Sequence, residues 1–163
     1  MKILILGGSN TSHKTGWAAE FAKMSPGLHI ENRFLGAVGS LFGLLRLLKM
    51  IEEGAARPDV VIFEYALNDS LWLMGGNLAL PLIDAALQDV ATICAREKIG
   101  LLFLCLSLRP PEPEGEAELS RFINGRYESV ARARGCAACL TQNDILGGVR
   151  QADYVDAMHI SPE

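Results

Sequence analysis

Ile3-Leu4-Ile5-Leu6-Gly7-Gly8-Ser9-Asn10 is the stretch whose reading decides the fold. An unbroken apolar run that ends in paired glycines reads as a fully buried strand followed by a sharp turn. The turn leaves Ser9 just beyond the carboxyl end of the strand, the place where open α/β sheets bind their ligands. A hydroxyl there, beside main-chain N–H groups free to point outward, is placed for acyl chemistry. Many α/β proteins carry a glycine-rich turn after their first strand, so the stretch takes its meaning from the rest of the chain.

Working outward, strand-like and helix-like stretches alternate. Thr15 to Met24 has the spacing of an amphipathic helix, and Ser25-Pro26-Gly27 stops it. Leu28 to Asn32 reads as a second strand, and Gly36 to Ser40 as a glycine-spaced turn. Leu41 to Glu53 is helical, and Val60 to Phe63 is another buried strand that runs into Glu64-Tyr65-Ala66-Leu67-Asn68-Asp69. Ser70 to Gly76 reads as an apolar loop holding Trp72, Leu73 and Met74. Leu78 to Arg96 is a long helix with Pro81 in its first turn, where proline is tolerated. Leu101 to Leu106 is the most apolar strand. Beyond the extended Arg109 to Gly115 loop, Glu116 to Arg134 reads as a polar, exposed helix. Ala137 to Leu140 is the last strand, and Gln142 to Asp156 is irregular. Such alternation implies a parallel sheet with helices on both faces, in one domain spanning residues 1–163.

With 163 residues, half of them apolar, the chain is large enough for a full core. The net charge of −4 is mild, and no basic run or basic-aromatic patch offers a nucleic-acid surface. The first apolar run is too short for a signal-peptide core, and the Leu-rich stretch from Leu41 to Ile51 is too short to span a bilayer. A cytoplasmic location is the expectation. The Leu41–Ile51 helix has only a narrow polar stripe of Arg46, Lys49 and Glu53, so its apolar arc is wider than one sheet face needs. It is expected either to be buried on two sides or to meet another copy of the chain. Of the four cysteines, Cys94 and Cys105 fall in apolar segments, and Cys136-Ala-Ala-Cys139 has redox spacing. That pair stands at the entrance to a late strand with no second ligand pair nearby, so structural thiols are the better reading and no metal is expected.

Four stretches carry polar residues at or beyond strand ends: Gly8-Ser9-Asn10, Leu35-Gly36-Ala37, Ala66-Leu67-Asn68-Asp69 and Asp156-Ala157-Met158-His159. The first three follow successive strands, and a parallel sheet lines them along one rim. A serine hydroxyl is a poor nucleophile at neutral pH until a base takes its proton, and histidine suits that task. Asp156, three residues before His159, is close enough to hold the other ring nitrogen. The Ser9 and Gly36 N–H groups and the Asn68 amide are candidate oxyanion donors.

With these four blocks in order across its length, the chain resembles the SGNH hydrolases, the GDSL-like esterase superfamily. Gly7-Gly8-Ser9 matches the Gly-Asp-Ser block and Gly36 the glycine block. Ala66-Leu67-Asn68-Asp69 matches Gly-x-Asn-Asp, and Asp156-Ala157-Met158-His159 matches Asp-x-x-His. The resemblance implies a three-layer flavodoxin-like α/β fold with about five parallel strands in order 2-1-3-4-5. It implies Ser9 as nucleophile, His159 as base and Asp156 as its orienting carboxylate. Ser9, Gly36 and Asn68 become the oxyanion hole, with Asn10, Asp69 and Trp72 at the substrate and no cofactor. Gly8 stands where Asp is usual, Ala66 where Gly is usual, and Phe34 where the glycine block has Asn. The family also carries a C-terminal helix after the histidine, and the four residues that follow His159 leave no room for one.

The Gly-Gly-Ser-Asn form, with Trp17 close behind, looks like members associated with bacterial polysaccharide loci. The expected reaction is therefore removal or transfer of a small acyl group, such as acetyl, on a carbohydrate. Other roles stay open on the sequence, among them a lysophospholipase or thioesterase, since the apolar Ser70–Gly76 loop could serve a longer chain. Ser9 could cap the next helix, and His13 and Lys14 could be rim residues or solvated loop. The hydroxyl-rich Ser9–Gly16 loop could cradle a phosphate in a flavodoxin-like FMN module. A non-catalytic relative that binds a carbohydrate or a partner also remains.

Overall fold

The buried run of Ile3 to Leu6 becomes the second strand from one edge of a five-stranded sheet ordered β2-β1-β3-β4-β5, with every neighbouring pair parallel. This is a computed structural model, and it describes residues 1–108, 114–135, 137–148, 150–154 and 159. In chain order the elements are β1 (Lys2–Gly7), α1 (Trp17–Met24), β2 (His29–Phe34), α2 (Ser40–Glu52), β3 (Val60–Glu64) and α3 (Ala66–Met74). They continue with α4 (Leu80–Arg96), β4 (Gly100–Cys105), α5 (Glu114–Arg134), β5 (Ala137–Thr141) and α6 (Gln142–Leu146). Short 3-10 turns cover Ser9–Thr11 and Gln151–Asp153. The strand order, the parallel pairing and the flanking helices are those expected from the sequence.

Because successive side chains on a strand point to opposite faces, the sheet builds two cores. Leu4, Leu6, Val61, Phe63, Leu101, Phe103 and Cys105 face a large layer with buried residues of α2, α4 and α5. Ile3, Ile5, Ile62 and Leu104 face the other way, toward Ala18, Trp17 and Phe21 of α1. In the larger layer Phe63, Phe103 and Tyr127 form an edge-to-face row. Ring centroids are 5.9 Å apart for Phe63–Phe103 and 5.2 Å for Phe103–Tyr127. Pairs of this kind each add about 0.5–1.5 kcal/mol beyond simple burial. On the opposite face of β5 from α5, Ala138 and Leu140 are exposed.

Three segments differ from the sequence reading. The stretch expected to be a turn and an apolar loop is the helix α3, whose first five residues, Ala66 to Ser70, are all buried. A helix buried all round has no polar stripe, so periodicity cannot separate it from a loop. Gly75 and Gly76 end it, the latter at φ +69. The region after β5 also folds locally. Thr141 and Asp144 form a capping box that starts α6, and Gly147 at φ +65 closes it. Helix α5, expected to be exposed, buries Ser120, Ile123, Tyr127, Val130 and Ala131. The wide apolar arc of α2 divides: Leu44, Leu47 and Met50 are buried, while Phe42 and Leu45 remain on the surface.

Candidate active site

The strand ends converge on the turn after β1. The Gly8 N–H reaches the main-chain oxygen of Glu64 at 3.2 Å, which joins the turn to the end of β3. Thr11 Oγ1 donates to Gly8 O (2.8 Å), Ser12 Oγ to Ser9 O (2.6 Å), and Asn32 Nδ2 from β2 to Thr11 O (2.6 Å). The hydroxyls of Thr11 and Ser12 are thus engaged inside the loop itself, which disfavours the phosphate-cradle alternative. Ser9 N–H, at the start of its 3-10 turn, has no acceptor among the described residues.

His159 Nε2 lies 3.0 Å from Ser9 Oγ, across 150 residues of chain. Tyr154 lies five residues earlier in the chain. Its hydroxyl donates to Ser107 O beyond β4 at 2.7 Å and stands 3.1 Å from Gln142 Oε1. The His13 ring packs against His159, with centroids 5.0 Å apart and planes tilted by 57°. Asp156, the expected orienting carboxylate, lies outside the described residues.

Asn68 is the third residue of α3 and is 6% exposed. Its Nδ2 donates to Val38 O at 2.9 Å, tying the helix start to loop 35–39. One amide hydrogen remains for another acceptor. Trp72, one turn later on the same helix, donates Nε1–H to Ala37 O in the same loop at 3.0 Å. Gly36 sits in that loop, exposed, and its N–H has no acceptor among the described residues.

Between these parts lies a cleft of about 240 Å³. Ser9, Asn10 and Asn68 supply its polar lining and Leu67, Leu71 and Trp72 its apolar lining, with Ala37 and Asn77 beside them. A larger groove of about 550 Å³ opens between α5 and the β5–α6 corner, but none of its described lining residues belongs to the four blocks. The smaller cleft is therefore the one that joins the Ser9 hydroxyl to a binding space.

Asp69, expected at the substrate, is not part of the cleft. It is fully buried, accepts the Ser40 N–H at 2.8 Å through Oδ1, and accepts the Tyr127 hydroxyl at 2.6 Å through Oδ2. Gly39 makes this possible, since a Cβ there would stand 2.3 Å from Oδ1. Burial pushes the Asp69 carboxyl up to about 6 against the pull of the Tyr127 and Ser40 hydrogen bonds. Its place is behind the site, joining α3 to the start of α2 and to α5.

Sequence reasoning passed over Tyr127, Tyr154 and Glu64, and left His13 undecided. Glu64 did leave a signal, being an acid at the end of an otherwise apolar strand. The two tyrosines carried none, because each acts through a partner far away in the chain. Among the described residues no cluster of three or more His, Cys, Asp or Glu side chains is arranged to hold a metal, and no helix is long and apolar enough to cross a membrane.

A doubly wound parallel sheet with a Ser–His contact on its carboxyl rim places the chain in the structural class of α/β proteins with an SGNH-type fold. No family model matches the sequence, and no curated protein matches it. Solved structures do. TesA superposes at a TM-score of 0.77 with 22% identity, over 99% of this chain and 90% of that one. The acetyl xylan esterase AlAXEase gives 0.78 at 15% identity, over 99% and 92%. The psychrotrophic esterase EstA from Pseudoalteromonas sp., inhibited by monoethylphosphonate, gives 0.76 at 15% identity, over 99% and 88%. At these identities the likeness is one of fold, and it extends over nearly the whole chain.

Proposed function

We propose that the protein is a serine-dependent carboxylic ester hydrolase or acyltransferase that works through an acyl-enzyme. The observation that carries this reading is the 3.0 Å approach of His159 Nε2 to Ser9 Oγ at the lip of the cleft. In the proposed reaction Ser9 Oγ attacks the ester carbonyl carbon while His159 Nε2 takes the hydroxyl proton. Asp156 is assigned to the other ring nitrogen. The negative charge that develops on the carbonyl oxygen is met by Ser9 N–H, Gly36 N–H and the free amide hydrogen of Asn68. His159 returns its proton to the leaving alcohol. Water, or an acceptor hydroxyl, then attacks the acyl-enzyme with His159 again as base.

The cleft supports a small acyl group, with Leu67, Leu71 and Trp72 against the acyl chain and Asn10 near the polar side. That AlAXEase is an acetyl xylan esterase favours acetyl on a carbohydrate as the first substrate to try. Activity is expected on p-nitrophenyl acetate and on acetylated oligosaccharides, falling as the acyl chain lengthens. Ser9→Ala is expected to abolish it without changing the circular-dichroism spectrum, and a phosphonate ester is expected to label Ser9. Undiminished turnover in Ser9→Ala would overturn the mechanism.

A further inference from the structure

The last residue of β3 is an acid in a place built for an apolar side chain. Val60 to Phe63 of the same strand are all hydrophobic, and Glu64, paired in register with Gly7, is fully buried. Its Oε2 accepts the Gly8 N–H at 3.3 Å, beside the bond from the same N–H to its main-chain oxygen. Oε1 is buried and has no hydrogen-bond partner among the described residues. Gly7 allows the turn to settle on this carboxyl, since a Cβ there would stand 3.0 Å from Oε2. A buried carboxylate ordinarily has a cation or several donors around it. Among the described residues, the titratable groups that interact electrostatically with Glu64 are Tyr65 and Asp69 from α3 and its leading residue, Cys105 from β4 and Tyr127 from α5. All of them are acids.

Burial, reinforced by Asp69, pushes the Glu64 carboxyl up to about 8, with the Gly8 N–H pulling the other way. The side chain therefore carries a proton at neutral pH. Such a group contributes little to stability that an apolar residue of its size would not. What it touches is the residue before the nucleophile.

We propose that Glu64 is a positioning residue for Ser9: its buried carboxyl, acting as a neutral acid beneath the Gly7–Gly8 turn, holds the Gly8 N–H, and negative charge arriving on it slows the reaction. This rests on the reading of Ser9 as nucleophile. A charge one residue from the Ser9 N–H opposes the oxyanion that this N–H is assigned to receive.

The test has two arms. In the first, kcat is measured against pH with background hydrolysis subtracted. The wild-type kcat is expected to drop about tenfold between pH 7 and 9, as the group ionises, and KM to change little. Glu64→Gln, which cannot ionise, is expected to lose that drop. In the second arm, the Gly8 amide is followed by ¹⁵N NMR from pH 5 to 10 in the wild type, in Glu64→Gln and in Ser9→Ala. An inflection near 8 is expected in the wild type and in Ser9→Ala, and none in Glu64→Gln. An inflection near 6 that survives in Glu64→Gln belongs to Asp69. A Gly8 amide without an inflection near 8 in the wild type, or an unchanged alkaline drop in Glu64→Gln, overturns the proposal. Full turnover in Ser9→Ala overturns the serine reading instead and leaves the Gly8 titration to decide the fate of Glu64. Should Glu64→Gln fail to fold, Glu64→Met, which cannot ionise and suits the apolar surroundings, takes its place in the NMR arm, where the inflection near 8 must vanish.

Discussion

The side-chain amide of Asn68 stands where a side chain on residue 8 would have to go: a Cβ added to Gly8 would lie 2.8 Å from Asn68 Nδ2 and 2.9 Å from Oδ1. Gly8 was the departure from the Gly-Asp-Ser block, and here it lets the Asn68 amide lie directly against the Gly7–Ser9 turn. Gly8→Ala should keep the fold while displacing Asn68. Asn68→Ala is expected to lower kcat by roughly 10²–10³-fold, the usual loss for one oxyanion donor. Gly8→Ala should approach the same loss, and the double variant should be no worse than the more damaged single, because both changes remove one interaction. Steady-state kinetics of the three variants checks this; additive losses would mean that the residues act separately.

The ring contact between His13 and His159 gives a second expectation. If His13 limits where the His159 imidazole can turn, His13→Ala lowers kcat with little change in KM, and His13→Phe restores much of the loss by restoring a flat ring. An effect confined to KM would instead assign His13 to the substrate.

Asp69 links pH to stability. Its carboxyl is raised in the folded chain to about 6 from an ordinary value of 3.8, so the native state keeps a proton that the unfolded state releases. The unfolded state binds fewer protons across that window, so this contribution to stability falls as pH rises from about 4 to 6 and is level above it. Tyr127→Phe removes the hydroxyl that bonds Oδ2, costing about 1.5–3 kcal/mol at pH 7 and extending the falling window upward. Denaturant unfolding of both proteins between pH 4 and 8 measures the slope and the difference.

Trp72 is held over the cleft by its Nε1–H bond to Ala37 O. Trp72→Ala is expected to raise KM for short-chain esters about tenfold, equivalent to roughly 1.4 kcal/mol of lost contact, and to admit longer acyl groups. Trp72→Phe should raise KM less, because the ring remains while its tether to loop 35–39 is lost. A graded series of p-nitrophenyl esters reads both effects.

What was legible in the sequence is what local pattern controls. The apolar runs of β1, β3 and β4 mark strands buried on both faces, and their alternation with helices admits only a parallel sheet with crossovers. From that sheet follows a rim on which Ser9, loop 35–39 and Asn68 must be neighbours, because all three follow strands that end on the same side. Tertiary structure decided the remainder. Helix α3 looked like a loop because its first turn is buried on every side, and α5 looked exposed because its few apolar residues, Ile123, Tyr127 and Val130, are outnumbered on its surface. Asp69 looked available to a substrate, yet it is sealed by Ser40 and Tyr127, residues 29 and 58 positions away. The approach of His159 to Ser9 joins positions 150 residues apart, and Tyr154 reaches Ser107 across 47. Periodicity records which side of its own element a residue faces; which distant residue waits on that side is set only when the elements pack together.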